Sequence, residues 1–134
     1  MTIECSQIID LSHPISEDMP LWPGDPSTKI KTHTTVAQDG YTLNALTIGE
    51  HSGTHIGAPS HFNEKGWSID QIDAGRFVAP AITINIAEKA ENNCDVLLTS
   101  SDILKWESQH GRIENNAVVL VHSGWSRFWN TKDY

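Results

Sequence analysis

The sequence has very little cysteine and no long apolar run. Its two thiols, Cys5 and Cys94, are far apart and form no CxxC pair, so we expect a reduced, cytoplasmic protein without a disulfide framework. No apolar stretch approaches the ~18 residues that span a bilayer. Residues 1–10 have neither a basic start nor a continuous apolar core, so we expect no signal peptide.

Positive charge is also scarce. The chain has nine Lys and Arg residues and 17 Asp and Glu residues, which gives a formal net charge of -8. This balance argues against nucleic acid and against an anionic membrane surface as partners. Low-complexity runs are absent, and the 38% hydrophobic content can build one core. The length of 134 residues then predicts a single domain over residues 1–134.

Short apolar and β-branched runs predict strands separated by turns. Two of these runs, with a turn near Asp39-Gly40 between them, are expected to form an antiparallel pair. The predicted strands are Ile8–Leu11, Lys29–Thr35, Leu43–Ile48, Ala81–Ala87 and Ala117–His122. The last two are expected to be buried, because each is an almost continuous apolar run.

A helix is predicted between these two buried strands. Ser100 or Ser101 caps it, Asp102 lies in its first turn, and it ends near His110 before the stop signal Gly111. A shorter helical turn is predicted over Ser68–Ile72, with Ser68 as its cap. Strand, helix and strand form a βαβ-like unit, so we predict an α/β fold with a mixed sheet and outer helices.

The loop from His13 to Pro26 is dense in proline and glycine. Five such residues in fourteen exclude regular structure and fix a rigid loop. Trp22 lies inside it, and a loop that holds a tryptophan rigidly is a candidate pocket wall.

Three of the seven histidines fall within eleven residues, at His51, His55 and His61. Histidine is the commonest metal ligand and the usual general base near pH 7. On a strand, His51 and His55 would lie ~13 Å apart, too far for both to reach one metal at ~2.1 Å. A shared metal therefore requires a turn between them, and Gly53 permits one. Spacing alone leaves two alternatives open: a metal site, or surface histidines that are merely hydrogen-bonded.

The segment from His51 to His61 resembles the signature H-x-G-T-H-x-D-x-P-x-H of the cyclase family of metal-dependent hydrolases, which includes kynurenine formamidases and isatin hydrolases. Further similarity covers essentially the whole chain. It includes Asp10-Leu11-Ser12, Trp22-Pro23-Gly24-Asp25-Pro26, Ser68-Ile69-Asp70, Phe77–Pro80, the helix from Thr99 to Gly111, and Ser123-Gly124-Trp125.

This resemblance implies a swivelling β/β/α fold and a zinc or manganese ion held by His51 and His55. It also implies that His61 is a general acid/base and that Trp22 lies against an aromatic substrate. The implied reaction is hydrolysis of a small-molecule amide, such as N-formylkynurenine, by a homo-oligomer.

Two departures from the family pattern affect this interpretation. Gly57 stands where the family has a ligand aspartate. Family members also continue for several tens of residues past Tyr134, so we expect the fold to be incomplete at its C-terminus. Three hypotheses follow: a metal-dependent amide hydrolase with a simplified site, a non-catalytic relative that binds an aromatic ligand, and a structural or oligomerisation module.

Overall fold

A computed structural model describes residues 4–134. Residues 1–3, the start of the segment inspected for a signal peptide, lie outside the described residues. Contacts divide the chain into two compact units between Gly57 and Ala58, and each unit is described by itself below. The single domain over residues 1–134 stays a prediction. Within residues 4–134, no helix combines the length and apolar character needed to cross a membrane.

The first unit contains the predicted hairpin. Strand β1 covers Lys29–Thr34 and strand β2 covers Leu43–Thr47. They pair antiparallel, with Lys29 opposite Thr47 and a bulge between Thr32 and Thr34. A single helical turn, α1 (Val36–Asp39), connects them and ends at Gly40, whose φ of 79° is left-handed. The predicted antiparallel pair is therefore confirmed, with a helical turn at its tip.

The predicted first strand, Ile8–Leu11, is wrong. The structure assigns no strand there, and Ile8 is 88% exposed. A strand persists only where a neighbour accepts its ladder hydrogen bonds, and none pairs with this segment among the described residues of the first unit. A hydrogen bond between near neighbours in the sequence shapes this segment instead. The Asp10 carboxylate accepts the Ser12 N–H at 2.9 Å, which lowers the pKa of Asp10.

The second unit contains the βαβ arrangement. Its strands are β3 (Ala81–Asn85) and β4 (Val118–His122), and its helices are α2 (Ala87–Asn92) and α3 (Ser100–His110). Single 3₁₀ turns cover Pro59–His61, Ile69–Gln71, Ala74–Phe77 and Trp125–Phe128. The predicted helix, both strands and the short turn capped by Ser68 are confirmed. Helix α2 was not predicted.

The α3 cap is one residue earlier than predicted. Thr99 is the N-cap, and its N–H and hydroxyl both donate to the Asp102 carboxylate, at 2.9 and 2.7 Å. This reciprocal capping box satisfies backbone donors that a helix start leaves free. Gly111 ends the helix with a φ of 93°, as predicted.

Strands β3 and β4 are parallel, in register from Ala81 opposite Val118 to Asn85 opposite His122. Helix α3 docks against β3, and its Trp106 indole N–H donates to the Thr83 carbonyl at 3.0 Å. The α/β fold class is confirmed, and the strands form two two-stranded sheets.

The two parallel strands differ in burial. Ile84 of β3 is 3% exposed, but Leu120 and Val121 of β4 are 44% and 47% exposed. The prediction of burial is therefore wrong for β4, and in β3 it holds fully only at Ile84, because Ala81, Thr83 and Asn85 are exposed. Helix α3 packs against β3, and each strand of this sheet has an open edge among residues 4–134.

We predict that Asp102→Asn lowers the melting temperature near neutral pH. In the folded chain the Lys89 ammonium, followed by the Thr99 hydroxyl and N–H, holds the pKa of Asp102 well below its ordinary value of 3.8. A depressed carboxyl pKa stabilises the fold above the unfolded pKa, and this stabilisation is lost as the pH falls through the folded pKa. The difference between wild type and variant should therefore shrink below pH 3.8. Thermal melts by circular dichroism from about pH 7 to about pH 2 measure this, and a difference independent of pH would contradict it.

Candidate functional site

A sharp turn brings His51 and His55 together. Gly53, midway between them, has a left-handed φ of 60°, which costs glycine little. As a result, His51 Nδ1 lies 3.1 Å from His55 Nε2. The rings meet edge to face, with centroids 5.2 Å apart. The turn that a shared metal would require is present, and the contact also fits the alternative of hydrogen-bonded histidines.

A neighbouring carbonyl sets the tautomer of the His55 ring. His55 Nδ1 lies 3.1 Å from the Gly53 carbonyl. A carbonyl oxygen can only accept, so Nδ1 carries the proton and Nε2 of the neutral ring presents a lone pair. On the other ring, the Glu50 carboxylate lies 3.5 Å from His51 Nε2. This is an ion-pair distance and not a hydrogen bond, so it does not decide which His51 nitrogen carries the proton.

The 3.1 Å contact fits a hydrogen bond from the His51 Nδ1–H to the Nε2 lone pair of His55. When His51 carries its proton on Nε2 instead, the two nitrogens present lone pairs to one another, and a cation between them would relieve the repulsion. Metal-binding histidines usually donate their second N–H to a carbonyl or a carboxylate, and the His55 ring has such a partner in the Gly53 carbonyl. The pair is therefore compatible with two states, a hydrogen-bonded pair and two ligands of one cation.

The distance fits two ligands of one ion. Two nitrogens bound at ~2.1 Å with tetrahedral geometry lie about 3.4 Å apart, close to the 3.1 Å between His51 and His55. A catalytic zinc site usually has three protein ligands. No group of three His, Cys, Asp or Glu side chains is positioned for a metal within residues 4–134. The spacing of the pair would suit two ligands of one ion, and the described residues supply no third. Metal binding by His51 and His55 stays a prediction.

Gly57 lies beside the His51 ring. A Cβ built on it would meet His51 Cε1 at 4.0 Å, an ordinary contact distance. Because the φ of Gly57 is not left-handed, a side chain fits there without backbone strain. The nearby Glu50 carboxylate lies 3.5 Å from the other nitrogen of His51, Nε2, so it does not face the contact between the two rings.

The Pro-rich loop supports the histidine turn from behind. The His13 N–H donates to the Thr54 hydroxyl at 2.9 Å. Met19, 4% exposed, places its sulfur 3.6 Å from where a Gly53 side chain would begin. A larger residue at Gly53 would therefore meet both an unfavourable φ and a buried neighbour.

Trp22 lies in the same unit, on the outer part of this loop. The Asp25 N–H donates to the Trp22 carbonyl at 3.0 Å, and Gly24 adopts a φ of 97° inside that turn. The Trp22 side chain is 78% exposed. Its backbone is therefore fixed and its indole is open to solvent. Contact with a substrate stays a prediction.

His61 belongs to the second unit, at the end of the 3₁₀ turn Pro59–His61. Its N–H donates to the Ala58 carbonyl at 3.0 Å, and its ring meets Phe62 edge to face at 4.1 Å. Of the four predicted site residues, the structure thus brings His51 and His55 together. The acid/base role of His61 stays a prediction.

Sequence reasoning missed two groups that support the histidine turn. These are the Gly53 carbonyl, which contacts His55 Nδ1, and the buried Met19 beside Gly53. The Gly53 carbonyl had no usable signal, since every residue type carries one.

Comparison with known proteins identifies the family. The model of the family described as "Putative cyclase" matches residues 9–134. The chain belongs to the cyclase family. It is 30% identical over 132 residues to an isatin hydrolase from Roseibium aggregatum, covering 93% of this chain and 50% of that protein. It is 33% identical over 126 residues to a kynurenine formamidase from Bacillus cereus, covering 90% of this chain and 60% of that protein.

The fold agrees with this assignment. The chain superimposes on the crystal structure of an isatin hydrolase bound to the product analogue thioisatinate with a TM-score of 0.84, at 26% identity. The superposition covers 92% of this chain and 52% of the hydrolase. The chain thus spans about half the length of the relatives that it matches.

We predict that Gly57→Asp strengthens metal binding. The new carboxylate would extend beside His51 and supply an anionic oxygen to the two nitrogen ligands. We expect an affinity gain of at least the ~10-fold that even outer partners of metal ligands contribute. Zinc titration of the folded chain measures it. Gly57→Ala is the matched control, because it fills the same space without a donor, and an equal gain in both variants would refute the prediction.

Proposed function

We propose that this chain carries the metal and acid–base residues of a hydrolase that acts on an aryl amide, most favourably an aryl formamide such as N-formylkynurenine. A zinc or manganese ion would be held by His51 and His55. The single observation that carries the proposal is the pair of imidazole nitrogens 3.1 Å apart, with the His55 ring oriented by the Gly53 carbonyl.

The names of the relatives support the substrate class. Isatin is a cyclic amide and N-formylkynurenine is a linear one. In both molecules the amide nitrogen is attached to a benzene ring. An exposed indole on a rigid turn, as at Trp22, suits such a ring because aromatic pairs stack with offset geometry.

The chemistry suits the residue types. When bound, a divalent ion polarises the amide carbonyl and lowers the pKa of a bound water toward ~7. The Gly53 carbonyl keeps the His55 ring in the tautomer that such binding needs, and His51 would give up its Nδ1 proton to bind the ion. In the proposed reaction, neutral His61 takes a proton from the attacking water and returns one to the leaving amine. Trp22 orients the aryl ring.

The first experiment is metal content per chain, paired with hydrolysis of formanilide. Wild type should bind zinc or manganese and lose activity with a chelator. His51→Ala should lose both metal and activity, because a single imidazole remains. His33→Ala, an exposed histidine of the same unit at the β1 bulge, is the matched control and should change neither. A folded wild type that stays metal-free under metal-replete conditions would contradict the proposal.

The role of Trp22 has its own test. We predict that Trp22→Ala raises KM for N-formylkynurenine by roughly 5- to 10-fold, in line with the ~1 kcal/mol of an aromatic pair, and leaves metal content unchanged. Trp22→Phe should recover most of the loss, since it keeps a ring. Steady-state kinetics measure both. Unchanged KM in Trp22→Ala would remove this residue from the site.

A further inference from the structure

The segment from Pro59 to Trp67 closes on itself around Gly66. A Cβ built on Gly66 would lie 2.6 Å from the Pro59 carbonyl carbon, 2.7 Å from the Pro59 oxygen and 2.8 Å from the Ser60 nitrogen. All three are backbone atoms, which cannot move aside as the end of a flexible side chain can. The backbone of Gly66 therefore lies directly against the first two residues of the turn that ends in His61.

Hydrogen bonds hold this contact in place. The Ser60 N–H donates to the Trp67 carbonyl at 3.1 Å, and the Gly66 N–H donates to the Asn63 carbonyl at 2.7 Å. The Asn63 side-chain oxygen also accepts the Lys65 N–H at 3.1 Å. The Asn63–Trp67 segment is thus a tight turn that binds the Pro59-Ser60 backbone. The glycine is needed for this close approach and not for a left-handed φ.

We propose that Gly66 is a positioning residue for His61. The Pro59–His61 turn packs against the Gly66 backbone. The position of this turn in turn determines the position of the His61 imidazole. The inference rests on the proposed function for the acid–base role of His61, whereas the packing itself is independent of that role.

A side chain at position 66 would shift His61. To reach an ordinary contact distance, the Pro59 backbone would have to withdraw by most of an ångström. A displacement of ~1 Å at a catalytic group can cost about 10²-fold in rate. We therefore expect Gly66→Ala to lower kcat for N-formylkynurenine by about 10²-fold, with KM and metal content near those of wild type.

Gly75 provides the matched control. It lies in the same unit, and a Cβ there would meet only the Asp73 carboxylate oxygen at 2.9 Å, the oxygen that also accepts the Gly75 N–H at 2.6 Å. Gly75→Ala therefore makes the same chemical change, and it disturbs one capping hydrogen bond without pushing on a backbone. It should leave kcat within about twofold of wild type, because surface changes of this kind usually have small effects.

A double-mutant cycle separates positioning from general damage. If Gly66 acts through His61, Gly66→Ala should cost nothing further in a His61→Ala background. An equal loss in both backgrounds would overturn the proposal.

Should Gly66→Ala fail to fold, Asn63→Ala decides instead, because it loosens the same turn by removing the acceptor of the Lys65 N–H. It should lower kcat in the same direction by a smaller factor, and an unchanged kcat would overturn the proposal.

A measurement that needs no enzymatic activity separates this inference from the proposed function. The imidazole ¹H–¹⁵N signals of His61, assigned by their loss in His61→Ala, should move in Gly66→Ala and stay in place in Gly75→Ala. If wild type hydrolyses no amide, the proposed function fails while these signals still decide the packing role. Unmoved His61 signals in folded Gly66→Ala would overturn the inference.

Discussion

The arrangement of the candidate site depends on one short contact, the 3.1 Å approach of His51 Nδ1 to His55 Nε2. The contact requires that the chain reverse within four residues, and Gly53 makes the reversal with a left-handed φ. The same glycine also fixes the His55 tautomer through its carbonyl. A single residue thus sets both the distance between the two rings and the nitrogen that His55 presents.

Local polar contacts hold this site, since the core is thin. Among residues 4–134, the buried hydrophobic side chains are Met19, Ile84, Ile86 and Ala90. Met19 is the one that belongs to the first unit, and it lies beneath Gly53. The remaining support comes from backbone and hydroxyl groups, such as the bond from His13 to Thr54. Such short-range hydrogen bonds keep a turn rigid without a large apolar core, because each one gives a partner to a polar group that would otherwise lack a hydrogen bond within the chain.

The features that the sequence predicts well are those whose signals are local, such as the stop of α3 at Gly111 and the turn that Gly53 permits between His51 and His55. The strand expected at Ile8–Leu11 fails because it depends on a pairing partner, which the sequence of a strand does not specify. The burial of β4 fails for a related reason, since an apolar run does not show what covers it. The Gly66 contact joins two backbones, and only coordinates distinguish such a glycine from one at a left-handed turn.

In the proposed site, glycine in place of aspartate at position 57 removes a negative charge as well as a ligand. Two neutral imidazoles leave the full charge of a divalent ion uncompensated, whereas a carboxylate would cancel part of it. Weaker compensation lowers affinity for the ion and, for an ion that does bind, increases its pull on the electrons of a bound water. In the proposed hydrolase, this ligand set would therefore lower occupancy and raise Lewis acidity. Below saturation its activity would rise in proportion to the free metal concentration, because the fraction of chains that hold the ion limits the rate.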